Sequence, residues 1–492
     1  MAAPPIQCMK KFYITTAIDY VNARPHLGHA YEKVAADVIA RWKRLEGREV
    51  FFLTGTDENA QKNVQAARAA GMPTKKFVDR MAGEFKKLCQ VYHISFDRFI
   101  RTTEAGHVRV AQEVFRKIFE NGDIYKGQYK GLYCEGCEAF YAESDLVNGK
   151  CPEHKKPVQE MEEENYFFRL GKYQKQVREH IQKGGFILPG TRKQEILNRL
   201  EEPLKDLSVS RLKVEWGIPV PADKEQKIYV WIDALLSYIS GLEYPGKRYR
   251  EFWPADLHVI GTGINWFHTV IWPAMLLSAG LPLPGQVFVH GYVTHHGEKM
   301  SKSLGNVVDP LELAKKYPAD AIRYFLLRDI PFGEDGDFSE EALRQRINGE
   351  LVSDLGNLVS RILTLRERSQ VPLKGAPELE KKLDLRKIQG HMDALELHHA
   401  LEEIFQFVRE CNAYISQTEP WKKSGEELGE ILYNLLEALR VIAILLSPFL
   451  PGTAEKIFQQ LGVRPGKLKD ARFRPFRGSP RKGEHLFERV AL

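Results

Sequence analysis

Strand-like and helix-like segments alternate from residue 11 to residue 118, stop, and resume after residue 227; nothing else in the 492 residues restricts the fold as much. Strand-like runs at 12–18, 50–54 and 98–102 are separated by stretches of helical period at 30–45 and 74–91. Strands spaced by helices pack as a parallel sheet covered on both faces, which predicts an α/β, doubly wound nucleotide-binding domain. The rhythm returns with strands at 228–232, 257–260 and 287–293 and a helix over about 264–279. The stretch between, 122–227, is loop-rich and reads as an insertion that splits the sheet. Helical periods then cover 340–367, 379–416 and 426–449, so an all-α bundle follows, with a strand-like trace only in the last few residues. The expected division is 1–121 and 228–293 for the two halves of the sheet domain, 122–227 for the insertion, 294–345 for a basic loop and linker, and 346–492 for the bundle.

Two short motifs add chemistry to this frame. Pro25-His26-Leu27-Gly28-His29 lies where the first strand crosses to the first helix. Free backbone N–H groups and the helix dipole attract anions at such a crossing, and Gly28 leaves room for a nucleotide. His26 and His29, three apart, face the same phosphate. As a bare string the motif could equally be a surface turn with two solvated histidines. Lys299-Met300-Ser301-Lys302-Ser303 lies on a glycine-bearing loop, 294–306. Ammonium groups at Lys299 and Lys302 suit a triphosphate that is losing pyrophosphate, a role typically worth ~3 kcal/mol, with Lys302 the principal candidate. An ordinary basic loop is the alternative in a chain with 71 Lys and Arg, but the joint occurrence of both motifs in this order favours nucleotide chemistry.

Cys134-x2-Cys137 and, after thirteen residues, Cys151-x2-His154 supply three thiolates and an imidazole on two knuckles. That set suits a closed tetrahedral zinc ion, one per chain, with a structural role because no coordination position is left open. Six cysteines so distributed point to reduced thiols and hence to the cytoplasm or an equivalent reducing compartment. No run of about 18 apolar residues occurs, so no membrane partner is expected, and residues 1–11 lack the order of a signal peptide. The formal charge of +6 permits a polyanionic partner without requiring one.

Together the two motifs resemble the ATP-binding signatures of class I aminoacyl-tRNA synthetases. The residues around them are similar to methionyl-tRNA synthetases over nearly the whole chain. The matching segments are Ala17-Ile18-Asp19-Tyr20, Tyr229-Val230-Trp231-Ile232-Asp233-Ala234, and Phe267-His268 before Trp272-Pro273-Ala274. The resemblance implies a Rossmann-type nucleotide-binding domain split by a zinc-bearing connective insertion, followed by an all-α helical-bundle anticodon-binding domain. It implies ATP-dependent attachment of methionine to tRNA(Met) through methionyl-adenylate. ATP, as its Mg2+ complex, would be held by His26, Gly28, His29, Lys299, Ser301 and Lys302. Ile18, Tyr20, Trp231, Ala234, Leu235, Tyr238, Ile264 and His268 would line the methionine pocket, Asp57 would hold the ammonium group, and Arg211 matches an arginine of the activation step. A flexible thioether does suit aromatic faces with one polar tip, which Tyr and His can supply, although Trp231 alone reads more readily as core. Asn357, Arg361 and Trp421 resemble readers of the CAU anticodon, with Trp421 as a stacking platform.

Isoleucyl, valyl and leucyl enzymes share both motifs but carry a large editing domain, for which 122–227 is too short. The cysteinyl enzyme is the nearer rival; its metal holds the substrate thiol, whereas the closed set here has no vacant position. A non-catalytic tRNA-binding paralogue is the other alternative. Two stretches depart from the family pattern: Gly261-Thr262-Gly263-Ile264 stands for Gly-Lys-Asp-Ile, and Asp57-Glu58-Asn59-Ala60 for Asp-Glu-His-Gly. With no β-rich appendix after the bundle, a monomer is expected.

Overall fold

The computed structural model describes residues 10–135, 139–141, 146–152, 155–212, 214–221, 223–300 and 306–491. Six strands form the central sheet: β1 (Lys11–Tyr20), β2 (Glu49–Asp57), β3 (Arg98–Arg101), β4 (Ile187–Leu188), β5 (Leu257–Gly261) and β6 (Val287–His290). They are all parallel, in the spatial order β3-β2-β1-β5-β6-β4. Phe12, Ile14, Val50 and Phe52 pack into one core with helix α1 (Leu27–Leu45), while Tyr13, Phe51 and Leu53 pack into another with α2 (Ala105–Glu120). Alternate side chains thus enter opposite cores, as a sheet buried on both faces requires. The winding reverses between β1 and β5, and the crevice beyond their carboxyl ends is where such sheets bind ligands.

An extra residue in β1 shapes that crevice. Thr15 pairs with Leu53 and Ile18 with Gly55, so β1 uses three residues where β2 uses two. The bulge re-aims Ile18, Asp19 and Tyr20 at the strand end. Gly55 makes the close approach possible, since a Cβ there would lie 2.1 Å from the Ile100 carbonyl oxygen.

Two expectations need correction. Residues 228–232 are not a strand: Asp223–Ile228 ends there and the short helix α3 (Val230–Leu235) follows. The run is apolar on every side, and its periodicity cannot separate a buried strand from a buried helical turn. Nor is 122–227 separate from the sheet, because β4 comes from inside it and pairs with β6. Its framework is a long antiparallel hairpin, Ile124–Cys134 with Gln159–Phe168, in which Ile124 faces Phe168 and Tyr133 faces Gln159.

The bundle consists mainly of α4 (Asn357–Arg368), α5 (Leu397–Thr418), α6 (Gly425–Leu446) and the helix Pro451–Leu461. The period expected over 379–416 is broken into three helices: Asp384 caps the second by accepting from the Lys387 N–H at 2.9 Å, and Leu395 adopts a left-handed φ of 61° before α5. The last residues are not a strand either. Leu486 and Phe487 are buried against the bundle, and the Asn348 side chain pairs with both backbone groups of Val490 at 2.8 and 3.0 Å. Buried Arg323 ties bundle to sheet: it donates to the carbonyls of Tyr92, Pro448 and Phe449 at 2.9, 2.9 and 2.7 Å and pairs with Asp37 at 2.9 Å. A charge so deep is tolerated because all three of its nitrogens have partners.

Candidate active site

At the mouth of the crevice α1 begins with His26 as its N-cap. Its first N–H groups are already occupied: that of Leu27 donates to the Val308 carbonyl at 3.0 Å, that of Gly28 to His26 Nδ1 at 3.1 Å, and that of His29 to the His26 carbonyl at 2.9 Å. This corrects the expectation that these helix amides are free to receive a phosphate; the half-buried imidazoles of His26 and His29 border the same turn. His29 Nδ1 accepts from the His26 N–H at 3.0 Å, so both rings use Nδ1 as acceptor and carry their proton on Nε2 when neutral. The rings stack 3.7 Å apart. Burial, and then the Lys33 ammonium, hold the His29 pKa down to about 3. At neutral pH its ring is an uncharged N–H donor.

Val293–His295 and Glu298–Lys299 form a short hairpin leading into the second motif. Ser301, Lys302 and the rest of 301–305 lie outside the described residues, as does the side chain of Lys299. Both ends of that loop can still be followed. Met300 is buried and its sulfur accepts from the Val308 N–H at 3.5 Å, Val308 accepts from Leu27, and Arg24 pairs with Asp309 at 3.1 Å. Both described flanks of 301–305 therefore lie beside the start of α1.

Deeper in the crevice, Tyr238 Oη donates to His268 Nε2 at 2.6 Å and His268 Nδ1 donates to the Ile264 carbonyl at 3.0 Å. The two polar tips are thus bonded to each other rather than offered separately. Burial lowers the His268 pKa to about 4, and burial, followed by the Glu32, Asp19 and Asp57 charges, raises that of Tyr238. His268 sits on a wide, π-helical turn, Phe267–Ile271, a distortion often found at functional sites. Trp231 stacks on Phe267 at 4.0 Å and meets Tyr20 edge-on at 5.9 Å. Ile18, Tyr20, Trp231 and Ile264 are half-buried while Ala234, Leu235, Tyr238 and His268 are buried. Trp231 packs against the edge of the core and keeps part of its ring exposed.

Asp57 closes β2, buried, with Asn63 donating to its carbonyl at 3.1 Å and the Asn59 N–H to its carboxylate at 3.3 Å. Arg211 is also buried; its Nη1 donates to Ser210 O at 2.7 Å and its guanidinium lies 4.1 Å from the Tyr229 ring centre. It shares a small cavity with Asn59 and Trp216, which puts it at the Asp57 end of the crevice. At the departure from the family pattern, Thr262 Oγ1 donates to the His290 carbonyl at 3.0 Å, and a Cβ on Gly263 would lie 3.1 Å from Tyr292 Oη. The tyrosine hydroxyl adjoins the space that a side chain at 263 would take.

A sequence model of the class I tRNA synthetases (M) matches residues 12–161 and 154–363, and one of the anticodon-binding domain of tRNA ligases matches 382–480. The methionine–tRNA ligase of Caldanaerobacter subterraneus is 48% identical over 92% of the chain and 74% of its own length. That of Brucella suis is 44% identical over 94% of both. The chain belongs to the methionyl-tRNA synthetase family. Among solved structures, Mycobacterium tuberculosis methionyl-tRNA synthetase in complex with methionyl-adenylate superimposes with a TM-score of 0.94, at 42% identity, over 98% of this chain and 100% of that one.

Two clusters of this synthetase were not legible as site residues. Lys33, fully buried on α1, forms an ion pair with Asp19, whose other oxygen is 3.8 Å from His29 Nε2. Burial opposes the Lys33 ammonium, but the Asp19 and Glu32 carboxylates outweigh it and raise its pKa. The second cluster lies behind Asp57. Asp233, fully buried, accepts from the Asn59 amide at 2.7 Å and bonds His107 Nε2 at 2.5 Å, while His107 Nδ1 bonds Ser240 at 2.7 Å. Asn59, noticed only as a departure from the family, is the link between Asp57 and this network.

In the bundle, Arg328 pairs with both Glu350 and Glu402, and Asn412 donates to the Asp354 carbonyl at 3.0 Å. Chain numbers rise together, so the segment leading into α4 runs parallel to α5. Asn357 and Arg361 lie one turn apart in the first half of α4, three and seven residues beyond Asp354, while Trp421 follows the left-handed Glu419 that ends α5. Trp421 is 60% exposed, unusual for a large aromatic.

Of the four proposed zinc ligands, Cys137 and His154 lie outside the described residues, and among the described residues no metal-binding group of three side chains is assembled. Cys134 and Cys151 are buried, belong to neither hydrophobic core, and form no disulfide. Cys151 sits in a tight turn in which its carbonyl accepts from the Lys155 N–H at 2.8 Å and its N–H donates to the Lys156 carbonyl at 3.0 Å. Two buried thiols in a polar hairpin fit a metal better than they fit packing.

Proposed function

We infer that the protein joins methionine to tRNA(Met) in two steps. Methionine attacks the α-phosphorus of ATP, giving methionyl-adenylate and pyrophosphate; the terminal ribose of the tRNA then takes the acyl group and AMP departs. The observation that carries this reading is the buried Tyr238–His268 hydrogen bond, together with the half-buried rings of Tyr20 and Trp231, at the same sheet end as Asp57 and the paired imidazoles. His26 and His29 donate Nε2–H groups to the triphosphate, Lys299 and Lys302 neutralise the leaving pyrophosphate, and Asp57 receives the ammonium. Arg211 acts from the same end of the crevice. Catalysis then rests on positioning and charge stabilisation, without a covalent enzyme intermediate. ATP enters as its Mg2+ complex. Cys134, Cys137, Cys151 and His154 hold one zinc ion, which supplies a cross-link between the knuckles of the hairpin and no chemistry. The protein acts as a cytoplasmic monomer.

Exchange of labelled pyrophosphate into ATP, compared for methionine, cysteine, leucine and isoleucine, tests substrate and activity together. Exchange with methionine is expected. Exchange with cysteine instead would transfer the chain to its nearest rival, and none with any amino acid would leave only a tRNA-binding role.

Asn357 and Arg361 read base edges of the CAU anticodon while a base stacks on Trp421. Trp421→Ala is expected to lower kcat/KM for tRNA(Met) by about 10- to 100-fold, the range for removing the platform under one stacked base, and to leave methionine-dependent exchange unchanged. Equal aminoacylation by the variant would remove Trp421 from the interface.

A further inference from the structure

We propose that the C-terminal strap, residues 464–489, is a phosphate-contacting surface for the tRNA, distinct from the side chains that read the anticodon. The proposal rests on the reading of the protein as a tRNA ligase. Nine Lys and Arg and three Asp and Glu fall in these residues, an excess of +6 that equals the formal charge of the whole chain. The remainder of the protein is therefore neutral overall, and the net charge is concentrated in one segment.

All nine cations are exposed: Arg464, Lys467, Lys469, Arg472, Arg474, Arg477, Arg481, Lys482 and Arg489. Among the described residues the carboxylate of Asp470, 3.4 Å from Arg474, is the one acidic partner any of them has. Exposed cations elsewhere are often matched, as in Lys315 with Glu312 or Lys422 with Glu419, both at 2.8 Å. Like charges gathered in one segment with few paired counter-charges repel one another, an arrangement that favours a polyanion.

The strap is fixed in place rather than trailing. The buried Arg440–Glu437 pair holds it from below: Arg440 donates to the carbonyls of Asp470 and Arg472 at 2.8 and 2.6 Å, and Glu437 accepts from the Arg474 N–H at 2.8 Å. Glu380 accepts from the Phe473 N–H at 2.9 Å, and the Arg481 N–H donates to Gln460 at 2.8 Å. Leu468, Ala471, Leu486 and Phe487 are buried. The cations face solvent while these apolar side chains do not, so the strap lacks the apolar face with which a basic segment enters a lipid surface. Six of the nine are arginine, whose planar fork suits phosphate oxygens.

Position agrees with charge. Arg489 donates to Ser353 Oγ at 3.4 Å, one helical turn before Asn357. The strap therefore ends beside the helix that carries the anticodon readers, and an RNA bound at that end would have its backbone within reach of the strap.

The test is a quadruple variant, Arg472→Gln, Arg477→Gln, Arg481→Gln and Lys482→Gln, with Arg464→Gln/Lys469→Gln as a second variant should the first unfold. Binding of tRNA(Met) to the full chain is measured across salt concentrations, beside pyrophosphate exchange without tRNA and binding to phosphatidylserine vesicles. We expect unchanged exchange, tRNA binding weakened on the order of tenfold or more at low salt, and a log–log salt slope shallower by about 0.7 to 0.9 for each phosphate that the strap no longer neutralises. Affinity and slope unaltered in the variant, alongside a wild type that charges tRNA(Met), would overturn this proposal alone. A wild type that does not charge the tRNA would overturn the functional reading beneath it. Vesicle binding that disappears in the variant while tRNA binding persists would reassign the strap to membranes and overturn it as well.

Discussion

Replacing Asp57 with Asn should reduce kcat/KM for methionine in pyrophosphate exchange by on the order of 10²- to 10³-fold, with KM for ATP changed little. The carboxylate is 2% exposed, and losing one member of a desolvated charge pair typically costs 2 to 5 kcal/mol, the larger part of which is the unpaired charge left behind. The substitution keeps the volume and leaves an oxygen able to accept from the Asn59 N–H, now at 3.3 Å, so the fold should survive. Asp57→Glu would keep the charge but displace it, and an intermediate loss is expected. If the Asn variant activated methionine as well as the wild type does, the ammonium would have to be bound elsewhere. Exchange measured at saturating ATP and then at saturating methionine separates the two substrates.

The sequence read well wherever one local rule decided the structure. The helix 74–91 matches Thr74–Val91, and the 50–54 run lies inside β2, because apolar spacing alone defines them. It read badly where the deciding partner is distant in the chain. The amides at the start of α1 looked available for phosphate, but the donor at Leu27 belongs to Val308, 281 residues further on. Lys33 falls within an ordinary helical period, and only the fold reveals that it is buried against Asp19. Asp233 could be quoted as part of a motif, yet its bonds to Asn59 and His107 join three separate segments. Sites assembled by tertiary contact are legible in sequence only through the residues that touch the ligand, while those that orient them look like core.

Lys33 is where that hidden layer has the largest expected consequence. Lys33→Met removes one partner of a buried ion pair and leaves Asp19 uncompensated, which should cost about 3 to 5 kcal/mol of stability. Asp19→Asn added to it should restore much of the loss, because no buried charge then remains. The pH dependence distinguishes positioning from packing. In the wild type the His29 pKa, about 3, lies below its unfolded value near 6.5; its contribution to stability is complete above pH 6.5 and is lost as pH falls towards 3. Burial already raises the Asp19 pKa and losing the Lys33 charge raises it further; wherever Asp19 stays ionised its carboxylate, 3.8 Å away, favours the imidazolium, and the His29 pKa should rise. The other ionisable groups around the pair are Glu32 and His26 on the same helix and the Cys89 thiol across from it, which burial pushes up to about 12 and keeps neutral. An acid limb should therefore appear in the exchange rate of Lys33→Met well above pH 3, and Lys33→Arg should lack it. A Lys33→Met enzyme with reduced stability but the wild-type pH profile would show that Lys33 only fills space and does not set the state of His29.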